Sequence, residues 1–255
     1  MRSTYKTTGI ILSSLDYGES DRILTVLTSD FGKLKGIAKG ARRSRKRFSN
    51  VLDPFSFSHI IFSKKERDTL VLIESCDIIN HHPGIRENLD KTLFSSYLLE
   101  LTDKFTQEGK KDIELFQLLQ HFLAVFDTEN HPEEFIRFFE IRLLKLSGYE
   151  PVLDQCMHCK KPVSHAEVYR FIPSKGGIGC TTCHQNHFDS FPVSVGTLKT
   201  LLLGKEMDIQ KINRIALSDQ SAKESKVILS HFIHHLLGKD MKSLQVLNQI
   251  REMGV

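Results

Sequence analysis

Four cysteines, arranged as two closely spaced pairs, are the residues whose types and spacing most clearly specify chemistry. Each pair has the form Cys-x-x-Cys: Cys156 with Cys159, and Cys180 with Cys183, with twenty residues between the pairs. This spacing lies at the upper end of the range typical of four-thiolate zinc sites. Zinc binds four soft donors in a tetrahedron, and each pair supplies two thiolates from one tight turn. The pattern therefore predicts one structural zinc ion.

The four-cysteine pattern is typical of a structural site rather than a catalytic one. Four thiolates leave no coordination position open for water, and no His-x-Glu sequence accompanies them as in zinc deaminases. Two alternatives stay open: disulfides, which the lack of a secretory signal disfavours, and a redox-active Cys-x-x-Cys, which needs no second pair. His158, His184 and His187 lie nearby, but four cysteines already complete a ligand set.

The segment between the cysteine pairs must fold back on itself to bring them together. It contains a strand-like run at Glu167–Ile172 and a glycine-rich turn at Lys175–Gly179, where glycines can adopt dihedral angles that other residues disfavour. Residues 151–190 are therefore predicted to form a small zinc ribbon.

The composition is that of an ordinary folded protein. The chain has 255 residues, which is enough for two compact domains or one large one. Hydrophobic residues make up 40% and charged residues 26%, which is ordinary for a folded protein. No apolar run approaches the ~18 residues of a membrane span. Cys76 lies in an apolar run, where a buried thiol is expected. These features favour a reducing compartment, so a cytoplasmic location is predicted.

Positive charge is concentrated in the first third of the chain. Residues 1–80 hold fourteen Lys and Arg against nine Asp and Glu, whereas residues 81–255 hold twenty-one against twenty-two. Lysines at alternate positions share one face of a strand, and an arginine cluster in the following loop extends that face, so together they can neutralise nucleic-acid phosphates. The predicted nucleic-acid-binding residues are Lys33, Lys35, Lys39, Arg42, Arg43, Arg45, Lys46 and Arg47.

Two aromatic residues beside this cluster are candidates for stacking on bases. Tyr17 and Phe48 have the ring faces that base stacking requires, although each taken singly is better explained as a core residue. The alternative for the cluster as a whole is a solvated basic loop with its aromatics turned into the core.

The first eighty residues have the pattern of a small β-barrel. Their strand-like segments are rich in β-branched residues or alternate charged with apolar residues. A closed barrel leaves such strands without exposed edges, and the five-stranded oligonucleotide-binding (OB) barrel is a common solution. The predicted strands are Tyr5–Ser14, Arg22–Thr28, Lys33–Lys39, Phe55–Phe62 and Thr69–Cys76.

The pattern becomes helical after Pro83. Apolar residues recur at helical spacing before and after the predicted ribbon. The prediction is an α+β multidomain fold, with an OB-fold barrel at 1–80 and an all-α domain at 81–150 plus 191–255, interrupted by the ribbon at 151–190. The predicted helices cover 89–105, 113–126, 135–146, 195–203, 221–236 and 242–250.

The sequence contains no recognisable catalytic constellation. It has neither the Gly-x-x-x-x-Gly-Lys-Ser/Thr loop of nucleotide hydrolases nor the Gly-x-Ser-x-Gly elbow of α/β-hydrolases. We therefore expect a protein that is not an enzyme.

Three segments of the barrel region carry a resemblance to a known family. They are Gly18–Arg22, the run from Thr28 through Phe31–Leu34, and Ala38–Arg43. With the order barrel, helices, Cys-x-x-Cys ribbon and helices, the chain resembles the RecO family of bacterial recombination mediators over nearly its whole length. Some members of that family lack the cysteines.

The resemblance implies a DNA repair protein without catalytic activity. Such proteins bind single- and double-stranded DNA, anneal complementary strands, and help RecA load onto DNA coated by single-strand binding protein. The resemblance also implies RecR as a partner and a helical-domain site for the tail of single-strand binding protein, for which Lys223, Lys226, Val227 and Phe232 are candidates.

Two other classes of function remain open. A zinc-ribbon transcription or RNA-binding factor would prefer RNA or a defined sequence. A non-DNA interaction scaffold would use the basic loop to bind an acidic protein and would not anneal strands.

Overall fold

The first five strands form where apolar and β-branched residues alternate with polar ones. β1 extends beyond its predicted ends at both sides, and β5 continues four residues past Cys76. In the computed structural model the strands are β1 Ser3–Tyr17, β2 Asp21–Thr28, β3 Gly32–Ala38, β4 Phe57–Lys64 and β5 Val71–Asn80. The structure describes residues 2–44, 47–48, 51–65, 68–129, 135–165, 168–183 and 189–252.

The five strands close into a barrel in the order β1-β2-β3-β5-β4. All neighbours are antiparallel except β3 and β5, which pair in parallel through Gly36 with Val71 and Ile37 with Leu72. A bulge between Ile11 and Ser13 shifts the register of β1 against β2; bulges of this kind bend a strand. The predicted five-stranded barrel is therefore confirmed.

The barrel interior is filled by side chains that point inward from alternate positions of the strands. Leu24 and Val26 of β2, Leu34 of β3, and Phe62 of β4 are buried together with Ile73 of β5. Burial of this aliphatic and aromatic surface stabilises the core at roughly 25 cal/mol per Å².

Three helices follow the barrel: α1 Pro83–Arg86, α2 Leu89–Phe105 and α3 Ile113–Thr128. Asn88 and Asp112 cap the N-termini of α2 and α3, because each side chain accepts a hydrogen bond from the backbone N–H three residues later. A Cβ atom at Gly32 would lie 2.0 Å from the carbonyl oxygen of Lys110, so the turn before β3 approaches the α2–α3 connection closely.

The second group of elements begins with α4, Ile136–Leu146. Three short strands follow, β6 Tyr169–Ile172, β7 Gly177–Cys180 and β8 Phe191–Val193, which form an antiparallel sheet in the order β7-β6-β8. The remaining elements are α5 Val195–Glu206, a 3-10 helix Ile209–Arg214, α6 Asp219–Leu237 and α7 Lys242–Glu252. Ser194 and Ser218 cap α5 and α6, and Gly238 ends α6 with a positive φ of 65°.

The chain divides into two compact units, one of Met1–Asn130 with Val246–Val255 and one of His131–Gln245. This division groups α1 to α3 with the barrel: α2 packs against β1, Phe116 of α3 contacts Phe57 of β4, and α1 packs against α2 and α3. The division predicted from the sequence instead places these helices with the later ones, so its boundaries stay a prediction. The fold class is confirmed: an α+β chain with an N-terminal barrel, helices and a four-cysteine ribbon.

Candidate metal centre and nucleic-acid interface

The four cysteines of the two Cys-x-x-Cys pairs lie together. The sulfur atoms of Cys156, Cys159, Cys180 and Cys183 all lie within 4.8 Å of one another, and those of Cys159 and Cys180 are 3.9 Å apart. Tetrahedral zinc with Zn–S bonds of ~2.3 Å requires S···S distances of about 3.8 Å. All four thiols are free, so the donor set and its spacing fit one metal ion, as the sequence predicts.

Tight turns hold each pair in place. In the first pair, the N–H of Lys160 donates to the carbonyl of Cys156, with Lys160 at a positive φ of 60°. In the second pair, the N–H of Cys183 donates to the carbonyl of Cys180, and the N–H of Cys180 donates to the Cys156 sulfur at 3.4 Å. The backbone of one pair therefore stabilises a thiolate of the other.

The segment between the pairs folds back as a β-hairpin. Tyr169 and Cys180 stand opposite each other in β6 and β7, and the connecting turn ends at Gly176, whose φ is 63°. At Gly177 a Cβ atom would lie 2.4 Å from the Met157 sulfur, so glycine is the residue that fits. The glycine-rich run therefore brings the two cysteine pairs into contact.

Three of the thiols have shifted pKa values, and the shifts differ in direction. Burial opposes ionisation of Cys156, but hydrogen bonds, first of all from the Cys180 backbone, lower the pKa of its thiol to about 6. For Cys183, the contact with the Cys180 side chain raises the pKa to about 12, and burial raises the pKa of Cys180. Cys156 therefore ionises more readily than Cys180 or Cys183, and a bound cation would favour the thiolate form of all its ligands.

The predicted basic residues of β3 have different environments. Lys35 is exposed, and its ammonium lies 3.7 Å from Glu108. Lys33 is buried, and its Nζ donates to both the carbonyl and the carboxylate of Asp103 in α2. Side chains alternate along β3, so the two lysines do share one face of the strand. However, α2 covers this face at Lys33. Because Lys33 is engaged in this junction, its predicted phosphate contact is not supported by the structure.

The loop after β3 carries the other predicted cations. Lys39, Arg42, Arg43 and Arg47 are exposed. The loop is anchored at its start, where the N–H of Gly40 donates to the Asp21 carboxylate at 2.8 Å. Arg45 and Lys46 lie outside the described residues. The described cations thus form a basic surface, defined here as Lys35, Lys39, Arg42, Arg43 and Arg47.

Acidic residues of the β1–β2 turn face this basic surface. Glu19 lies 3.4 Å from Arg43, and Asp16 lies 3.6 Å from Arg42 and 3.0 Å from Arg22. Sequence reasoning overlooked these acids, although the turn Asp16–Ser20 contains two of them. The pairing depends on the loop contacting the turn across the sheet, which no local pattern reveals.

The two candidate stacking aromatics differ in their exposure. Phe48 is buried in the barrel core, with the Arg47 guanidinium 5.0 Å from its ring centroid. Tyr17, at the end of β1, is exposed. Phe48 is therefore the core residue that the sequence favours, whereas Tyr17 presents its ring to solvent.

Two family models together match nearly the whole chain. The family model described as Recombination protein O N terminal matches residues 1–82, and the one described as Recombination protein O C terminal matches residues 86–245. In the described part of the chain, no helix has the length and apolarity to cross a membrane.

Three curated relatives carry one name. The DNA repair protein RecO of Syntrophus aciditrophicus is 51% identical over 256 residues, covering 100% of this chain and 99% of that protein. The proteins of the same name from Geobacter metallireducens and Anaeromyxobacter dehalogenans are 34% and 31% identical, covering 98% and 96% of this chain and 99% and 96% of their own lengths. The chain belongs to the RecO family of DNA repair proteins.

Proposed function

We propose that this protein is a recombination mediator that binds single- and double-stranded DNA and anneals complementary strands. The observation that carries the proposal is the basic surface of the barrel, where five described cations lie exposed on one strand and the loop after it. Cations so placed contact phosphates without reading sequence, and they release counterions when they do so. Family membership supports DNA as the polyanion.

Strand annealing follows from charge neutralisation. Two complementary strands repel each other through their phosphates, and a surface that neutralises both lowers this repulsion. No nucleotide hydrolysis is needed for that step, so we propose no catalytic role. The acids Asp16 and Glu19 pair with Arg42 and Arg43 and so reduce the positive charge of the surface.

The partners and location belong to the same proposal. We propose that the protein acts with RecR, in the cytoplasm, to help RecA load onto DNA coated by single-strand binding protein. The acidic and apolar tail of single-strand binding protein would contact the exposed Lys223, Lys226 and Val227 on α6. Phe232 is buried and does not form part of that proposed contact.

We also propose that the ion held by the four cysteines is zinc. Four thiolates favour zinc among the common structural metals. Cys156, Cys159, Cys180 and Cys183 would complete its coordination, so the ion would hold the hairpin of β6 and β7 against the first cysteine pair and take no part in chemistry.

A strand-annealing assay tests the main proposal. Labelled complementary oligonucleotides are mixed with the protein across a salt series, with and without single-strand binding protein. We expect annealing without nucleotide, weakening with salt and persisting on coated strands. The double variant Lys39→Glu with Arg43→Glu should anneal poorly and lower the salt slope of DNA binding, by roughly 0.7 to 0.9 for each lost phosphate contact.

The matched control makes the same charge change away from the barrel. Arg214→Glu with Lys239→Glu alters two exposed cations of the other unit and should leave annealing and salt slope unchanged. DNA binding without annealing would indicate a general nucleic-acid module, a preference for RNA would indicate an RNA-binding factor, and absence of binding would indicate a protein scaffold. Each of these results contradicts the mediator proposal.

A further inference from the structure

Three acids at the β1–β2 turn contact the loop after β3 in two different ways. Asp16 is exposed, and its carboxylate lies 3.6 Å from the Arg42 guanidinium. Glu19 is exposed as well, and its carboxylate lies 3.4 Å from the guanidinium of Arg43. Asp21, the first residue of β2, is half-buried and bonds to the backbone of the loop instead. Acids of one turn can therefore affect the loop in opposite directions.

The Asp21 carboxylate fixes the start of the loop. Its Oδ1 accepts a hydrogen bond from the Gly40 N–H at 2.8 Å and another from the Ser20 hydroxyl at 3.0 Å. These bonds, first of all the one from Gly40, hold the pKa of Asp21 below its ordinary value of 3.8, so the carboxylate is charged at neutral pH. Gly40 has a positive φ of 66°, which glycine adopts readily. The bond to Asp21 holds the chain in this conformation where it leaves β3.

A short turn of the chain follows Gly40 and orients the arginines. The Gly40 carbonyl accepts hydrogen bonds from the N–H of Arg43 at 3.1 Å and from that of Ser44 at 3.0 Å. The Arg42 N–H donates to the Ser20 carbonyl at 3.0 Å. Backbone atoms of the loop are thus bonded to the β1–β2 turn at two neighbouring points, and the directions of both arginine side chains depend on this attachment.

The far end of the loop is held by other contacts. The Arg47 guanidinium donates to the Lys39 carbonyl at 3.0 Å, and the Arg47 carbonyl accepts from the Cys76 N–H in β5 at 3.3 Å. Phe48, which follows, is buried in the barrel core. The described cations of the loop are therefore attached to an ordered backbone. Ordering in advance favours binding, because less conformational entropy is lost when a ligand binds.

We propose that Asp21 is a positioning residue for nucleic-acid binding, whose carboxylate holds the cations of the loop in the arrangement that contacts phosphates. These cations are Lys39, Arg42 and Arg43. The inference rests on the proposed DNA-binding function and adds to it a residue whose own charge repels the ligand. Asp21 acts through the loop backbone and contacts no phosphate itself. Its negative charge alone would weaken binding of a polyanion, so positioning and charge predict opposite effects when Asp21 is replaced.

The test measures the affinity of the full chain and three variants for a labelled oligothymidine across a salt series. Asp21→Asn and Asp21→Ala remove the same charge, but only asparagine keeps an oxygen that can accept the Gly40 N–H. We expect Asp21→Ala to bind about fivefold more weakly than Asp21→Asn, with a lower salt slope because fewer phosphates are contacted. Glu19→Gln, the matched control from the same turn, removes an acid that faces Arg43 and should bind more tightly than the unaltered protein.

Hydrogen exchange shows whether the substitution changes the loop alone. The Gly40 and Arg42 amides should exchange faster in Asp21→Ala than in Asp21→Asn, because the alanine leaves Gly40 without its acceptor. The amides of β4 and β5 should exchange at the rates of the unaltered protein in both variants. If those strands also opened, Asp21 would be a residue of the barrel fold, and the positioning role would be overturned.

Different failures separate this inference from the proposed function. Equal affinities of Asp21→Ala and Asp21→Asn would overturn the inference, and if both bound as tightly as Glu19→Gln, Asp21 would act through its charge alone. If the double variant Lys39→Glu with Arg43→Glu loses affinity while the two Asp21 variants do not differ, only this inference fails. If the unaltered protein does not bind the oligothymidine, the proposed function fails with it.

Discussion

The barrel of β1 to β5 and the sheet of β6 to β8 are both small β-structures, but they are held together differently. The barrel closes on itself around an apolar core. The second sheet has strands of four, four and three residues, and its β7 ends at Cys180 in the cysteine cluster. Longer strands supply enough apolar surface to close a barrel, whereas short ones depend on a cross-link. Metal should therefore control one region and leave the other unchanged.

The largest expected effect comes from removing a proposed metal ligand. Cys156→Ser replaces a buried thiol whose pKa is lowered to about 6. Metal content should fall below about a tenth of the unaltered level, because structural zinc binding contributes on the order of 10 kcal/mol to folding of small sites. Hydrogen exchange of the β6–β7 amides should rise by orders of magnitude, while that of the β1–β5 amides should stay constant.

Cys76→Ala is the control for cysteine loss. Cys76 is buried in the barrel core, so its replacement should weaken the barrel and leave metal content unchanged. If Cys156→Ser retained full metal content, or if chelation opened the barrel as readily as the ribbon, the contrast between the two regions would be wrong.

A second prediction concerns two lysines of one strand. Lys33→Met leaves the Asp103 carboxylate without its buried partner, although Lys104 remains 3.3 Å away. The β2–β3 amides should open more easily by about 1–3 kcal/mol, measured by hydrogen exchange at neutral pH. DNA affinity and its salt slope should not change, because Lys33 is buried.

Lys35→Met is the matched control, two residues away on the same face. Its exposed pair with Glu108 should contribute less than about 0.5 kcal/mol to stability, but the variant should lower the salt slope of DNA binding. The reverse result, with Lys33 governing salt dependence and Lys35 governing stability, would refute the assignment of the two lysines.

A third prediction tests the close packing of the ribbon. Gly177→Ala places a methyl group 2.4 Å from the Met157 sulfur and 3.0 Å from Val152. Met157 must shift, which should destabilise the β6–β7 hairpin by about 1–2 kcal/mol. The midpoint temperature of thermal metal release should therefore be lower than in the unaltered protein. Gly196→Ala, with its nearest contact at 3.9 Å, should release metal at the normal temperature. Equal midpoints for both variants would contradict the packing argument.

The smallest effect is a dependence on pH. Burial opposes ionisation of Asp103, yet its hydrogen bond and charge interaction with Lys33 hold its pKa below the ordinary value of 3.8. A carboxyl whose pKa is lowered by folding stabilises the fold above its ordinary pKa, and this contribution is lost as pH falls through the lowered value. Comparing the unaltered protein with Asp103→Asn, the stability difference should be constant above about pH 5, on the order of 1 kcal/mol, and vanish in stronger acid. If the stability difference persisted in strong acid, it would arise from packing and not from the ionisation of Asp103.

Much of the barrel was predictable because local patterns determine its strands. Apolar alternation located all five, and the glycine at position 32 marked the β2–β3 turn. The parallel pairing of β3 with β5 has no local signal, since residues more than thirty positions apart create it. The same limit explains why the burial of Lys33 could not be predicted. Strand alternation assigns its side chain to the correct face, but long-range packing decides which part of that face α2 covers.

The clustering of the four cysteines was predictable, because their spacing specifies four thiols that can converge on one ion. The basic surface was predictable in part. Its cations are visible as a cluster, but the acids Asp16 and Glu19 that face them belong to a different turn. Counting charges by segment gives only the net excess of cations. The ion pairs that reduce this excess depend on the closed barrel, which brings the acids close to the cations.

The parallel contact of β3 with β5 also constrains the order of events during synthesis. While the ribosome has released only the first sixty or so residues, β1, β2 and β3 can form a meander, but β3 keeps a free edge. That edge stays available to other chains until Val71 and Leu72 emerge and dock, because unpaired strand edges readily join other strands. A pause in translation before residue 71 should therefore be the point at which nascent chains are most prone to aggregate, and slow loop closure over this separation should limit the folding rate of the barrel.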